Sequence, residues 1–501
     1  MDFIVKKLGW ENAAQIHNSA HNIYNDFVSW KTQAIVVSAM RSSYFNTTDK
    51  LILLWKELSK KNIDEKNIFN LIESIKNFHL KLLECELLWP KEKVIIIINN
   101  LFKIFIENIK FFIENRTEKD IPKRNNDYSI ELKNKNKLSI IGFWEIISSK
   151  IISGVIDSIS ANWICSKSID LWDIVSSKNL VKKAENEVFD MLTEKVSNII
   201  DENIIGWHIP VLSGYIWSFP KWIEKTIGRW YSDATAAISA TGLAKKWYSV
   251  TIEVQKSVKW LMSADPSILY NPEDAQVLEK IDYLTAREIT WDNWAQAKLL
   301  HHQTLRSEVQ EAGIKIHLFD PFSGEEGTWI IDKRKCTNIK PWIRFIWWRK
   351  NIIFFSISSW KMFERSILSR LFNIVQKYFS VDIVTSSETE VSFTIDWEWV
   401  SDEILNEMTN KIKKEFNLYD NSDVEFVEYK KDRALIFCVW EHMKDYVKVL
   451  WKSIQIFAEN DIDIKLISQG RLERAIIFGI VQKDRIKAVN LLHNEFIVWK
   501  K

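Results

Sequence analysis

Apolar spacing defines the first element. Between residues 13 and 29, Ile16, Ala20, Ile23 and Phe27 recur at three- and four-residue intervals, which predicts a helix with one buried face. The apolar run "AIVVSA" at 34–39 follows and reads as a buried strand. Helical periodicity fills residues 50–115, a polar stretch occupies 115–137, and strand and helix patterns then alternate to about residue 331. This alternation predicts an α/β domain with a mostly parallel sheet over residues 1–335, an αβα sandwich. The polar stretch is expected to be a loop or hairpin excursion, because alternation resumes behind it.

After about residue 340 the chain repeats itself. The strand "IIFFSIS", a helix around 364–378 and "VDIVTSSETEVSFTI" are matched about 81 residues later by "ALIFCV", a helix around 446–459 and "IDIKLISQGRLERAIIFGI". With further helices at 401–415 and 482–494, each copy fits a ferredoxin-like βαββαβ module, one over 340–415 and one over 416–501. Paired modules of this kind more often sense a ligand than perform chemistry, though topology alone fixes no function.

At 501 residues the chain is too long for one ordinary core. Its 68 basic residues nearly balance its 66 acidic ones, so charge gives no reason to expect nucleic acid or a membrane as partner. The longest apolar run, Val94 to Phe105, is broken by Asn99, Asn100 and Lys103, and no signal-peptide pattern opens the chain. A cytoplasmic location is expected. Cys85, Cys165, Cys336 and Cys438 are too widely spaced for a zinc site and read as small hydrophobes, so no metal or disulfide role is assigned to them.

One count is abnormal. The chain has 12 glycines and 25 tryptophans, which together approach the usual glycine share of about 7%. Trp163 and Trp247 lie between the end of a helical stretch and the start of a strand, where a left-handed residue is commonly needed. Trp260 falls in an expected turn, and Trp347 and Trp348 precede the strand "NIIFFSIS". These positions point to a gene in which UGA encodes glycine and whose product is written here with tryptophan. The alternative is a genuinely tryptophan-rich protein, and UGG codons at Trp10, Trp230 and Trp247 would establish it.

Several segments carry candidate chemistry. "VKKLGWENAA" ends a strand with Lys7 and Gly9, a cation beside backbone that a phosphate can approach closely. "VVSAMRSSYFNTTDKLI" leads a strand into a hydroxyl-rich loop with Ser38, Thr47 and Thr48, which can donate hydrogen bonds or cap a helix. "GFWEIISSKI" opens a helix with Glu145, also the position of a simple dipole partner. In "IPVLSGYIWSFPKWIEKTIGRWYSDATAAISA", Arg229 can bind a carboxylate through two hydrogen bonds and Asp233 can hold an ammonium group. Ser232 and Asp233 would also start a helix whose amides favour anions.

In order and spacing these segments resemble the aspartate kinases, over nearly the whole chain. The family's KFGGTSV strand corresponds to Lys7, Leu8, Gly9 and Trp10, with Glu11 and Asn12 at its Thr and Ser. Its TLGRGGSDTTAA element corresponds to the segment around Arg229, with Trp217 and Trp230 at glycines. "VQKSVKWLMSADPSIL" is similar to the nucleotide-side WTDVDGxxTADPRxV, keeping Asp265 and Pro266 and placing Ser257 and Lys259 at two aspartates. "AKLLHHQTL" is similar to AKVLHPRTI, which puts Lys298 at a second phosphate-binding lysine. The tail resembles two ACT modules.

The resemblance implies transfer of the γ-phosphoryl group of ATP to the side-chain carboxylate of L-aspartate. Lys7, Lys298 and Asp233 would be catalytic, and Ser38, Thr47, Thr48, Glu145, Arg229 and Ser232 would bind aspartate. Lys7, Gly9, Trp10, Ser257, Lys259, Asp265 and Lys298 would meet ATP, whose Mg²⁺ would arrive with it. Asp382, Thr385, Ser387 and Glu388 would hold an effector, lysine or threonine, in a homodimer formed through the ACT modules. Two other readings stay open: another amino-acid kinase, such as a glutamate or acetylglutamate kinase, and a non-catalytic amino-acid sensor with a decayed kinase half.

Overall fold

A computed structural model describes residues 2–9, 15–40, 46–58, 60, 62–84, 91–115, 129–131, 137–139, 142–160, 165–171, 185–214, 231–255, 261–290, 300, 302–332, 343–358, 367–379, 381, 383–387, 389–396, 401–416, 426–440, 448–469 and 475–498. Two units result. One comprises Met1–Trp260, Glu279–Tyr283 and Leu299–Cys336, and the other Leu261–Leu278, Leu284–Lys298 and Thr337–Lys501.

The first unit opens with β1 (Asp2–Leu8), α1 (Ile16–Val28) and β2 (Thr32–Val37). There follow α2 (Thr47–Leu58), α3 (Glu65–Glu84), α4 (Lys91–Asn115), the hairpin of β3 (Ser129–Glu131) and β4 (Lys137–Ser139), and α5 (Gly142–Ile159). Next come β5 (Cys165–Ile169), α6 (Glu185–Ile205), β6 (His208–Ser213), α7 (Tyr231–Lys245) and β7 (Ser249–Gln255). Then come β8 (Lys280–Asp282) and α8 (Tyr283–Thr290), which from Leu284 onward belongs to the second unit, and the run ends with α9 (Ser307–Glu311), β9 (Lys315–Phe319) and β10 (Thr328–Ile331). The sheet order is β5-β6-β2-β1-β7-β9-β10-β8, parallel except where β10 runs against β9.

Strand alternation sorts the residues of this sheet. Leu8, Ile35 and Val37 join one apolar cluster with Ile16, Ile23, Leu51, Ile72, Phe105 and Ile147 of α1 to α5. Helix α7 packs on β1 and β7 and against α6. Its buried face is built from Ala236, Ala237 and Ala240, and small residues let helices approach closely. At Gly242 an added Cβ would meet the carbonyl oxygen of Thr193 at 2.3 Å, so α6 and α7 touch backbone to backbone there.

The corners between helix and strand share one chemistry. Trp30, Trp207 and Trp247 follow α1, α6 and α7, and all three are left-handed, with φ of 63°, 60° and 71°. Trp30 N–H donates to the carbonyl of Phe27 and Lys31 N–H to that of Asp26, the paired bonds of a Schellman ending. Trp247 and Tyr248 repeat this on Ala244 and Leu243. Gly313 repeats it after α9, with φ of 70°, and there a real glycine occupies the corner; Asp461 (φ 55°) makes the same turn before the strand at Ile464. The three indoles stand 73–94% exposed.

In the second unit β11 (Ile343–Ser358), α10 (Ile367–Val375), β12 (Val384–Ser386), β13 (Glu390–Asp396) and α11 (Asp402–Phe416) come first. β14 (Phe426–Trp440), α12 (Lys448–Glu459), β15 (Ile464–Gln469), β16 (Ala475–Val481) and α13 (Arg485–His493) complete it. Their sheet is antiparallel, in the order β12-β13-β11-β14-β16-β15. β11 and β14 run the whole depth of it: Ile352–Ser358 pairs with β13, while Arg433–Val439 pairs with β16. Each long strand carries one left-handed polar residue at its middle, Asn351 (φ 59°) and Asp432 (φ 57°), types that tolerate this conformation.

Two sequence expectations change here. Trp347 and Trp348 lie inside β11 and are buried, and do not precede the strand. The polar residues Arg349 to Asn351 mark a register shift within one long strand and not its beginning. Cys438 is buried as expected, whereas Cys165, on the edge strand β5, is exposed.

Candidate active site

The C-terminal ends of β1, β2 and β6 meet the first turns of α5 and α7. In open parallel sheets this edge is where ligands bind, because loops leave the strands there and helix N-termini point toward it. Backbone bonds hold the edge together: Gly214 N–H donates to Val37 O (3.1 Å), and Gly9 N–H to Gln255 O (2.9 Å).

Alternation on β1 sends two adjacent lysines in opposite directions. Lys6 pairs with Asp26 of α1, and Lys7 pairs with Asp233 of α7 at 2.7 Å. Lys7 and Asp233 are 3% and 1% exposed, so this ion pair has almost no solvent to screen it. Ser38, just beyond β2, and Ser232, in the first turn of α7, share a hydrogen bond of 2.7 Å between their hydroxyls. Thr235 on the next turn donates to the Gly214 carbonyl.

Glu145 enters from the first turn of α5 and is 7% exposed. Burial pushes its carboxyl up from the ordinary 4.5 to about 8; Lys7 opposes that rise and Asp233 adds to it. Its Oε2 and the buried Thr47 hydroxyl have no protein partner among the described residues. A Cβ at Gly214 would lie 2.8 Å from Glu145 Oε2 and 2.5 Å from Ser232 Cβ, so only glycine leaves this space open. A carboxyl oxygen and a threonine hydroxyl without protein partners among the described residues, beside a buried lysine, suit a ligand with both positive and negative groups.

Lys7, Ser38, Glu145, Ser232 and Asp233 are thus brought together, with Gly9 one residue past the end of β1. Thr47 and Thr48 open α2, and the side chain of Thr48 lies outside what is described. Asp265 belongs to the second unit, where it accepts hydrogen bonds from the backbone and hydroxyl of Ser267. Thr385 is half-buried on β12, and Ser387 is exposed and bonded to Glu390. Trp10, Arg229, Ser257, Lys259, Lys298, Asp382 and Glu388 lie outside the described residues.

Sequence reading passed over Gly214, Thr235 and Ser213, whose hydroxyl accepts from Leu171 N–H. The available signal was the glycine ending the apolar strand "IPVLSG", a mark of close backbone approach. Among the described residues, no cluster of three His, Cys, Asp or Glu could hold a metal ion, and no helix is long and apolar enough to cross a membrane.

A mostly parallel sheet with charged groups gathered at its strand ends, and a six-stranded antiparallel sheet in the second unit, make a mixed α/β fold that ends in an ACT domain. Residues 436–496 match the ACT domain family. An aspartate kinase of Gibberella fujikuroi is 24% identical over 393 residues, which cover 74% of this chain and 72% of the relative. Escherichia coli aspartokinase III in complex with aspartate and ADP has TM-score 0.69 at 18% identity, covering 98% of this chain and 99% of that one. The same enzyme in complex with lysine and aspartate has TM-score 0.66 at 18% identity, covering 99% and 100%. Sequence likeness, shared fold and ACT match together support an aspartate kinase with ACT domains.

Proposed function

We propose that the chain transfers the γ-phosphoryl group of ATP to the side-chain carboxylate of L-aspartate, giving 4-phospho-L-aspartate. The carrying observation is the buried cluster of Lys7, Glu145 and Asp233, which offers one cation and two carboxyls at the ligand edge of a parallel sheet. It suits an amino acid whose ammonium meets Glu145 and Asp233 while its carboxylates meet Lys7, Arg229 and hydroxyls. The aspartate carboxylate is ionised at neutral pH, so the nucleophile needs no general base. What limits the reaction is repulsion between two anions brought in line. Lys7 and Lys298 are assigned to offset that repulsion, with Mg²⁺ supplying further positive charge when it arrives on ATP.

Gly9, Trp10, Ser257, Lys259 and Asp265 are assigned to the nucleotide, with glycine as the natural residue at 10. The product would feed the synthesis of lysine, threonine and methionine in the cytoplasm. Control is assigned to lysine or threonine, bound near Asp382, Thr385, Ser387 and Glu388 in a homodimer formed through modules 340–415 and 416–501; the lysine complex of the similar E. coli enzyme supports this.

The test is a hydroxamate assay for acyl phosphate on protein made with glycine at the recoded positions. Aspartate- and ATP-dependent product is expected. Product from glutamate or acetylglutamate alone would indicate a different amino-acid kinase, and no product with any of them would indicate a sensor.

A further inference from the structure

The start of helix α7 is tied to three strand ends of the first sheet. Ser232 shares a 2.7 Å hydrogen bond with Ser38 just beyond β2, Asp233 pairs with Lys7 of β1 at 2.7 Å, and Thr235 donates its hydroxyl to the carbonyl of Gly214, one residue past β6. Lys7, Ser38, Ser232 and Asp233 all have assigned roles toward substrate, so their contacts with one another must give way when substrate is bound. The contact from Thr235 uses no group so assigned and can persist.

A threonine inside a helix commonly bonds back to the carbonyl four residues before it. Thr193 of α6 does so on Phe189 O (2.7 Å), and Thr409 of α11 on Leu405 O (2.8 Å). Thr235, fully buried, reaches across 21 residues to another element. Its acceptor is held from other directions as well: Gly214 N–H donates to Val37 O (3.1 Å), and the preceding Ser213 hydroxyl accepts from Leu171 N–H (3.1 Å). A buried carbonyl is costly to leave unpaired, so these bonds fix the end of β6 firmly. That end forms part of the site wall, since a Cβ at Gly214 would lie 2.8 Å from Glu145 Oε2 and 2.5 Å from Ser232 Cβ. In packing this close, a displacement of Gly214 is felt at once by Glu145 and by the start of α7.

We propose that Thr235 is a positioning residue for the aspartate site: its hydroxyl, acting through the Gly214 carbonyl, keeps the start of α7 seated on the sheet while Lys7 and Asp233 leave each other for substrate. The proposal rests on the assignment of aspartate to this cluster. Glu145 and Ser232, the side chains that crowd Gly214, are both assigned to aspartate. Loss of the hydroxyl should therefore weaken aspartate more than ATP.

The test uses full-length protein with glycine at the recoded positions. It compares Thr235→Val, which keeps the shape and removes the hydroxyl, with Thr235→Ser, which keeps the hydroxyl. Calorimetric titrations with aspartate and with ATP are read alongside the kinetics and thermal melting. Thr235→Val should weaken aspartate binding and raise its KM at least about fivefold, while the KM for ATP stays within about twofold. Thr235→Ser should stay within about twofold of the parent for both substrates. Thr235→Ala supplies a second hydroxyl-free variant should Thr235→Val fail to fold. Unchanged aspartate affinity without the hydroxyl, equal losses for both substrates, or a serine variant as impaired as the valine one would overturn the proposal. So would failure of both hydroxyl-free variants to fold, which would make the bond a purely structural one. Because titration needs no turnover, a parent that binds aspartate but phosphorylates nothing would sink the kinase reading and leave this one measurable. A parent that binds no aspartate would overturn both.

Discussion

Lys7 and Asp233 face each other at 2.7 Å, across the junction of a β-strand end and a helix start, with almost no exposed surface. Removing one partner leaves the other charge buried and uncompensated, a change that costs about 3–5 kcal/mol. Lys7→Met and Asp233→Asn should each lower the melting temperature, and the double variant should recover part of the loss without recovering activity. If both single variants melt like the parent, the pair is not buried in solution.

Glu145 makes the site respond to pH. Its folded value of about 8 exceeds the ordinary 4.5, so the folded protein binds the extra proton between these values and this group's contribution to stability falls as pH rises through that window. An aspartate ammonium favours the carboxylate form, so aspartate affinity should climb with pH up to about 8 and then level. Calorimetry in buffers of different ionisation enthalpy should show proton release on binding near neutral pH. Glu145→Gln should bind aspartate weakly and lose that proton signal; a parent with pH-independent affinity would argue against the assignment.

Arg229→Ala should act on aspartate and not on ATP. Losing a buried bidentate partner costs roughly 2–5 kcal/mol, so kcat/KM for aspartate should fall at least about tenfold. Steady-state kinetics with each substrate varied in turn would reveal it, and unchanged aspartate kinetics would remove Arg229 from the site.

Inhibition by lysine or threonine should depend on the second unit. An effector shifts the enzyme only by its differential affinity for two states, typically about 1–3 kcal/mol. Asp382→Ala should raise the inhibitory concentration in a dose-response assay while leaving uninhibited turnover near that of the parent. Inhibition unaffected by this change would place the effector elsewhere.

The tryptophan question has a direct readout. A side chain forced into left-handed backbone costs about 1–2 kcal/mol, and a domain's whole stability is about 5–15 kcal/mol. Glycine at Trp30, Trp207 and Trp247 should therefore raise the melting temperature, each replacement adding to the last. Indoles at 10 and 230, where the family brings backbone to the substrates, should suppress turnover. Equal melting and equal turnover of the tryptophan and glycine versions would overturn this reading.

Much of the fold could be read from periodicity. The helix expected at 13–29 is α1 at Ile16–Val28, and that expected at 446–459 is α12 at Lys448–Glu459. Local pattern served there because each element has one apolar face. It failed for β11, where Arg349 to Asn351 looked like a break although the strand continues through a left-handed residue. The cluster of Lys7, Glu145 and Asp233 was legible through motif order, since these residues lie far apart in sequence. Membership of residues 261–278 in the second unit was not legible, because "SADPSILYNPEDAQ" carries no periodicity and is held by side chains more than 200 residues away.

The through-running strands β11 and β14 also govern how the second unit can be taken apart. Each half of the six-stranded sheet is completed by part of a strand that continues into the other, so a cut near residue 416 would strip β11 of its long partner and leave β16 without its neighbour's support from β11. The smallest piece that could be transplanted onto another protein is therefore the whole span 343–498, carried with the segments 261–278 and 284–298 of the same unit. Exchanging the unit between proteins would mean moving that block entire, not one repeat at a time.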